Sequence, residues 1–265
     1  MKKTPLAAAT KRAMTRPPPP PPQDPLAVLK LDGEHARATI ESLIDAMADI
    51  GRANDTRGYT CLILLRGACD VARAQAHLIA TDPRDMAGAA GALHRSQLDH
   101  FLRGAYLGMV ASEEQLEDFL THDEGVRTLP PTGKPQRIGP IAMATDLDKA
   151  LLGANIGFKE PLGLGDAVEK SWDTLCGLVH GGARIQELYQ SGGAIGCNAS
   201  PEAVMATLHN AVHLTCLAIP VMWRFSGQDN GAKTAAADRA IVAMRDYQAA
   251  HDKRLARLGY PVSGL

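Results

Sequence analysis

Apolar residues recur at intervals of three and four along most of this chain, the spacing of one buried face of an α-helix. Between Glu34 and Arg52 the repeating set is Ile40, Leu43, Ile44, Met47 and Ile50, and Glu41, Asp45 and Asp49 fall in a column on the opposite face. Carboxylates one turn apart can hold a cation, but they are also the ordinary solvated side of such a helix. The same periodicity predicts helices over 57–80 and 85–111, with Pro83 near the start of the latter, and the two form a long hairpin. Ser112 and Gln115 make a capping box that opens a short helix reaching His122. Glycines and prolines between Gly125 and Pro140 then interrupt the pattern.

Beyond that loop, helices are expected over 141–154 and 165–189, followed by a glycine-rich turn from Ser191 to Gly196. Ser200-Pro201-Glu202 supplies an N-cap and a first-turn proline for an apolar helix reaching Phe225, which Pro220 should kink. A last helix over 232–258 carries Ile241, Val242, Met244, Tyr247, Leu255 and Leu258 and stops at Gly259. The expected architecture is an all-α bundle of seven or eight helices in a single domain over 26–265.

Composition agrees: aromatic residues are only 4% of the chain, and the period-two alternation a sheet would need is missing. Six consecutive prolines at 17–22 cannot join a helix and predict an extended spacer, so residues 1–25 are expected to be a disordered, basic, proline-rich tail. The spacer is either a plain linker or a docking motif for a protein partner with an SH3-like groove. The tail holds Lys2, Lys3, Lys11, Arg12 and Arg16 against Asp24, so an overall formal charge of −1 leaves an acidic body, a poor general surface for nucleic acid. Five scattered cysteines without a C-x-x-C pair indicate neither a disulfide framework nor a zinc knuckle.

The apolar run from Ala203 to Phe225 has the length of a membrane span, but His209, Asn210 and His213 lie inside it, which favours a buried helix over a membrane one. The apolar stretch from Pro5 to Ala9 is too short for a signal peptide. A cytoplasmic protein without a membrane segment or a cofactor is the expectation.

Three features could carry chemistry. Arg66 with Asp70, and Arg95 with Asp99, repeat an Arg-x-x-x-Asp step on the two arms of the hairpin. The steps form either a buried four-charge layer or two independent exposed ion pairs, with Gln75 and Gln97 suggesting water nearby. Trp172, Leu175 and Val179 make a stripe followed by His180, Gly181 and Gly182, whose glycines would be unfavourable inside a helix. They would admit either a close helix or a ligand reaching the backbone and the imidazole together. His209 and His213, four apart, have the spacing of a two-histidine metal clip, but Asn210, Ala211 and Val212 between them exclude H-E-x-x-H. A third ligand, His180 or Asp99, would have to come from another helix.

The charged hairpin, followed by Trp172, Leu175 and Val179-His180-Gly181-Gly182, resembles uncharacterised bacterial helical proteins grouped near HEPN-like domains and abortive-infection proteins, over roughly residues 35–225. HEPN-like ribonucleases carry an Arg-x4–6-His motif, assemble a composite site from two protomers and cleave RNA without metal. Arg95 to His100 fits that motif, as does Arg245 with His251. The resemblance implies a defence- or stress-associated ribonuclease acting as a homodimer. His100 would transfer the proton of the ribose 2′-hydroxyl or the leaving oxygen, Arg95 would stabilise charge on the phosphorus oxygens, and Asp99 would orient one of them. Residues five apart on a helix point about 140° from each other, so convergence would need a distortion or a partner chain. Two readings compete with it: a non-enzymatic helical scaffold or regulatory protein, and a small-molecule or metal binder centred on His180 with His209 and His213.

Overall fold

A computed structural model describes residues 24–48, 53–122, 125–154, 160–181, 183–191, 194–195, 197–225 and 230–261; the proline spacer and Gly182 lie outside them. Among the described residues there are nine helices: α1 (Pro25–Ala48), α2 (Thr56–Thr81), α3 (Ala87–Met109), α4 (Glu113–His122), α5 (Pro140–Gly153), α6 (Leu164–Val179), α7 (Ala183–Tyr189), α8 (Pro201–Phe225) and α9 (Asn230–Arg257). Two two-residue hairpins complete the fold, β1 (Arg127–Thr128) with β2 (Gln136–Arg137) and β3 (Gln190–Ser191) with β4 (Ala194–Ile195), each antiparallel. The all-α bundle expected from the periodicity is thus what the chain forms.

The helix count exceeds the expected seven or eight because the helix expected over 165–189 is two. The backbone N–H of His180 closes α6 onto the Cys176 carbonyl, and Gly181 follows at φ +70°, a conformation in which a side chain is strained. Gly181 therefore ends a helix rather than occupying its interior. Pro83 lies in the turn before α3, which starts at Ala87 and not at 85, but the serine caps and the C-terminal glycine stop hold. Ser112 N–H donates to Gln115 Oε1 and Gln115 N–H to Ser112 Oγ, at 3.0 and 3.2 Å, which is the capping box. Ser200 Oγ accepts from Ala203 N–H at 3.2 Å, and Gly259 adopts φ +84° after α9.

α2 and α3 make the central antiparallel hairpin, and α1, α8 and α9 cover one side of it while α5 and α6 pack on α3. The main core joins Ile40, Leu43, Leu65, Ile79, Phe101, Leu102, Met205, Leu208 and Tyr247. A smaller core of Tyr106, Leu107, Leu116, Val126 and Met143 lies under α4 and the β1–β2 hairpin. Arg57 ties the two ends of the hairpin together: it donates to the Leu107 and Ala111 carbonyls at the end of α3 and pairs with Glu113 of α4 at 2.8 Å. α8 is the described helix long and apolar enough to cross a membrane, and it packs against α1, α2, α3 and α9; it continues through Pro220 without a break.

α1 starts nine residues before the apolar repeat does. Its first turns present Val28, Leu29, Asp32 and Gly33 inward, so a carboxylate and a glycine occupy positions where periodicity looks for apolar side chains. Gly33 is required by close approach, since a Cβ there would lie 2.6 Å from the Ala80 backbone nitrogen. Gly33→Ala is expected to destabilise the fold by about 1–3 kcal/mol through overpacking. Gly153→Ala, with open space around the added carbon, should be neutral or mildly stabilising. Urea midpoints of the two variants test this, and equal midpoints would refute the tight contact.

Candidate functional site

The two Arg-x-x-x-Asp steps do not form a common layer. Arg66 Nε lies 3.3 Å from Asp70 Oδ2, with both side chains nearly half exposed, and Arg73 shares the same carboxylate at 3.1 Å. That is a surface network of modest energy. On α3 the expected partner is replaced: Asp99 pairs with Arg103 at 2.8 Å, leaving Arg95 without an ion pair among the described residues. The Arg95 guanidinium instead lies over the indole of Trp172 on α6, 4.5 Å from the ring centroid, and its Nε is buried with no hydrogen-bond partner among those residues.

His100 faces another helix. Its Nδ1 donates to the Ser96 carbonyl at 2.7 Å, and its ring packs over Gly67 of α2, where an added Cβ would lie 3.1 Å from the imidazole Cδ2. Regular helical geometry thus turns Arg95 towards α6 and His100 towards α2, as a spacing of five residues dictates. Within one chain the Arg-x4-His motif brings no cation and imidazole together.

Gln75 and Gln97, the two amides beside the charged steps, are fully buried. Gln75 Nε2 donates to Gln97 Oε1 at 2.9 Å, His94 Nδ1 lies 3.2 Å from the same oxygen, and Gln97 Nε2 donates to the Ala211 carbonyl of α8 at 2.9 Å. A neutral amide chain therefore pins α2, α3 and α8 together, and burial holds the His94 pKa below its ordinary value.

A dense group of ionisable side chains lies between α1, α8 and α9. Asp32 is fully buried; its Oδ1 accepts from Arg254 Nη1 at 2.8 Å and its Oδ2 lies 2.9 Å from His251 Nδ1, with the Tyr247 hydroxyl 3.4 Å from that nitrogen. Arg254 Nη1 also lies 3.2 Å from His35 Nδ1, which can accept only while it carries no proton. His209 of α8 stacks 4.0 Å from His213 and 4.9 Å from His251, between ring centroids, and its Nδ1 is buried without a partner. Burial first, then the neighbouring His213 and His251, lower the His209 pKa to about 3. Periodicity flagged His209 and His213 but missed Asp32, whose partners lie more than two hundred residues away. No group of three His, Cys, Asp or Glu among the described residues has the geometry to hold a metal ion.

His180 caps α6 at an exposed position, while His209 and His213 pack against α9, so the site imagined around all three is not assembled. An apolar cavity does exist elsewhere, between α2, α3, α6, α7 and α8, walled by Ile79, Ala87, Leu178, Leu188, Ala203 and Val204. A second groove, of about 590 Å³, opens between α3 and α6. Ala89, Ala92, Leu93, Leu178 and Val179 give it apolar walls, and Arg95, Ser96 and Asp99 line it as its polar residues.

No curated protein matches the chain, and no solved structure matches it. A family model described as a family of unknown function (DUF6988) matches residues 66–242, more than half the chain, from the middle of α2 into α9. The Arg95 groove, the glutamine pin and His209 lie inside the match, whereas Asp32, His251 and Arg254 lie outside it. This chain belongs to the DUF6988 family, a family of unknown function.

Proposed function

We propose that the protein is a non-enzymatic helical binding protein, with a scaffolding or regulatory role. The supporting observation is the divergence of Arg95 and His100: one stacks on Trp172 of α6, the other bonds its own backbone over Gly67 of α2. An RNA-cleaving surface would also need a basic cleft around Arg95, and the groove there is lined by one arginine and one aspartate. The experiment is incubation with labelled RNA in EDTA, comparing wild type with an Arg95→Ala/His100→Ala variant of intact helicity. The expected result is no cleavage by either protein. Cleavage by wild type that the double variant loses would overturn the binding reading.

One observation favours a second reading, a HEPN-like, metal-independent ribonuclease whose site is completed by a homodimer. Arg95 has no carboxylate partner among the described residues, so a phosphorus oxygen would supply the missing acceptor while His100 of a second copy supplied the proton transfer. That reading requires the cleavage rate per protomer to rise with protein concentration.

A further inference from the structure

The α3–α6 groove combines features that a purely structural helix contact does not need. Among the described residues Arg95 is the only cation lining it, and the one carboxylate lining it, Asp99, is paired with Arg103 at 2.8 Å. A guanidinium has five N–H donors in a fixed fork; the Nε of this one is buried with no partner among the described residues, while its outer donors make no hydrogen bond to those residues and lie on a half-buried side chain lining the groove. The outer donors can therefore meet an acceptor that enters the groove. The Trp172 indole fixes the guanidinium plane from below at 4.5 Å, which pre-organises the fork for a flat, two-oxygen acceptor.

The rest of the groove sets the shape of the ligand. Its walls are the short side chains of Ala89 and Ala92 and the branched chains of Leu93, Leu178 and Val179, with Val179 45% exposed. Ser96 adds one hydroxyl beside the cation. A volume of about 590 Å³ is within the range that holds small molecules.

We infer that this groove binds a small organic anion, its carboxylate or phosphate head held by Arg95 over Trp172 and its short apolar body lying between α3 and α6. The inference deepens the binding reading above by naming the ligand class.

Trp172 is itself the reporter. The chain has two tryptophans, and Trp223→Phe sacrifices no hydrogen bond because the Trp223 indole nitrogen has no partner. In full-length Trp223→Phe protein, Trp172 emission is titrated with octanoate, octyl phosphate, inorganic phosphate and octanol. Saturable change with octanoate or octyl phosphate, and none with octanol, is the expected result; the stronger of the two anions identifies the head group. Arg95→Met should weaken that binding roughly tenfold or more, the scale of one lost charge-assisted pair of bonds. Ala92→Leu, which leaves the cation in place and fills the groove, should weaken it as well. Octanol binding as well as the anions, or octanoate and octyl phosphate binding undiminished in both variants, would overturn the inference, as would flat titrations with every probe. Those failures leave the RNA assay unaffected, whereas RNA cleavage by wild type removes the binding reading whatever the titrations show.

Discussion

Asp32→Ala is expected to lower stability by roughly 3–5 kcal/mol, the usual scale for removing one partner of a buried charge pair. The carboxylate is fully buried and answers two donors on α9, Arg254 and His251, so its loss leaves a largely buried guanidinium and an imidazole without their acceptor. The cavity left by the side chain adds to the loss. Asp32→Asn keeps the shape and one acceptor oxygen but no charge, and should fall between wild type and alanine. Urea unfolding followed by circular dichroism measures all three. If Arg254→Met, which removes the charge and keeps an unbranched apolar stem, is added, the effects of Asp32→Ala and Arg254→Met should not be additive. A loss under 1 kcal/mol for Asp32→Ala would show that the cluster does not hold α9 to α1.

Acid is expected to act on the same helices. His209 is held at about 3 by burial and by His213 and His251, and burial also lowers His213; His35 is lowered by burial and then by Arg254. The groups facing them are Asp32 on α1, Asp246, Tyr247, His251 and Arg254 on α9; the two carboxylates, and the His209 carbonyl that His213 Nδ1 meets at 2.9 Å, favour a charged imidazole but do not outweigh burial. A folded-state pKa below the unfolded value of 6.5 means that the unfolded chain takes up protons first as pH falls. The stabilisation is therefore fully present above about pH 6.5 and is lost progressively towards pH 3. The slope approaches about 1.4 kcal/mol per pH unit for each histidine wholly kept from protonation, and less for the partly exposed rings, which water screens. Urea midpoints between pH 7.5 and 4.5 should fall from near pH 6.5 downward, and His209→Phe should flatten that fall. A midpoint unchanged between pH 7 and 5 would contradict it.

Most helices were legible because each buries one apolar face, and a face repeats every three to four residues whatever covers it. Caps were legible for a similar reason: Ser112, Gln115 and Ser200 answer backbone groups a few residues away, so cause and signal lie in one stretch of sequence. The end of α6 was missed because the apolar spacing of Leu175 and Val179 runs on into Leu188, although a glycine directly after His180 is itself a stop signal. The polar interior was missed for another reason. Gln97 and Asp32 look like solvent-facing residues until their partners, Ala211 and His251, are brought beside them by the fold. Sequence spacing set Arg95 beside Asp99 and His100, because spacing along α3 cannot tell that Trp172 lies across from it.

The Asp32 contact with His251 and Arg254 spans 219 and 222 positions of chain, among the most distant in sequence that the molecule makes. The α2–α3 hairpin needs only the residues between 56 and 109 and can form as soon as they are available. Closing so long a loop is entropically late, so the contact belongs to the native side of the folding barrier. Interactions of that kind leave the rate of folding nearly unchanged and act almost wholly on how long the folded chain persists before it opens. The clasp between α1 and α9 is in this sense a timer on unfolding, one whose setting protons can change.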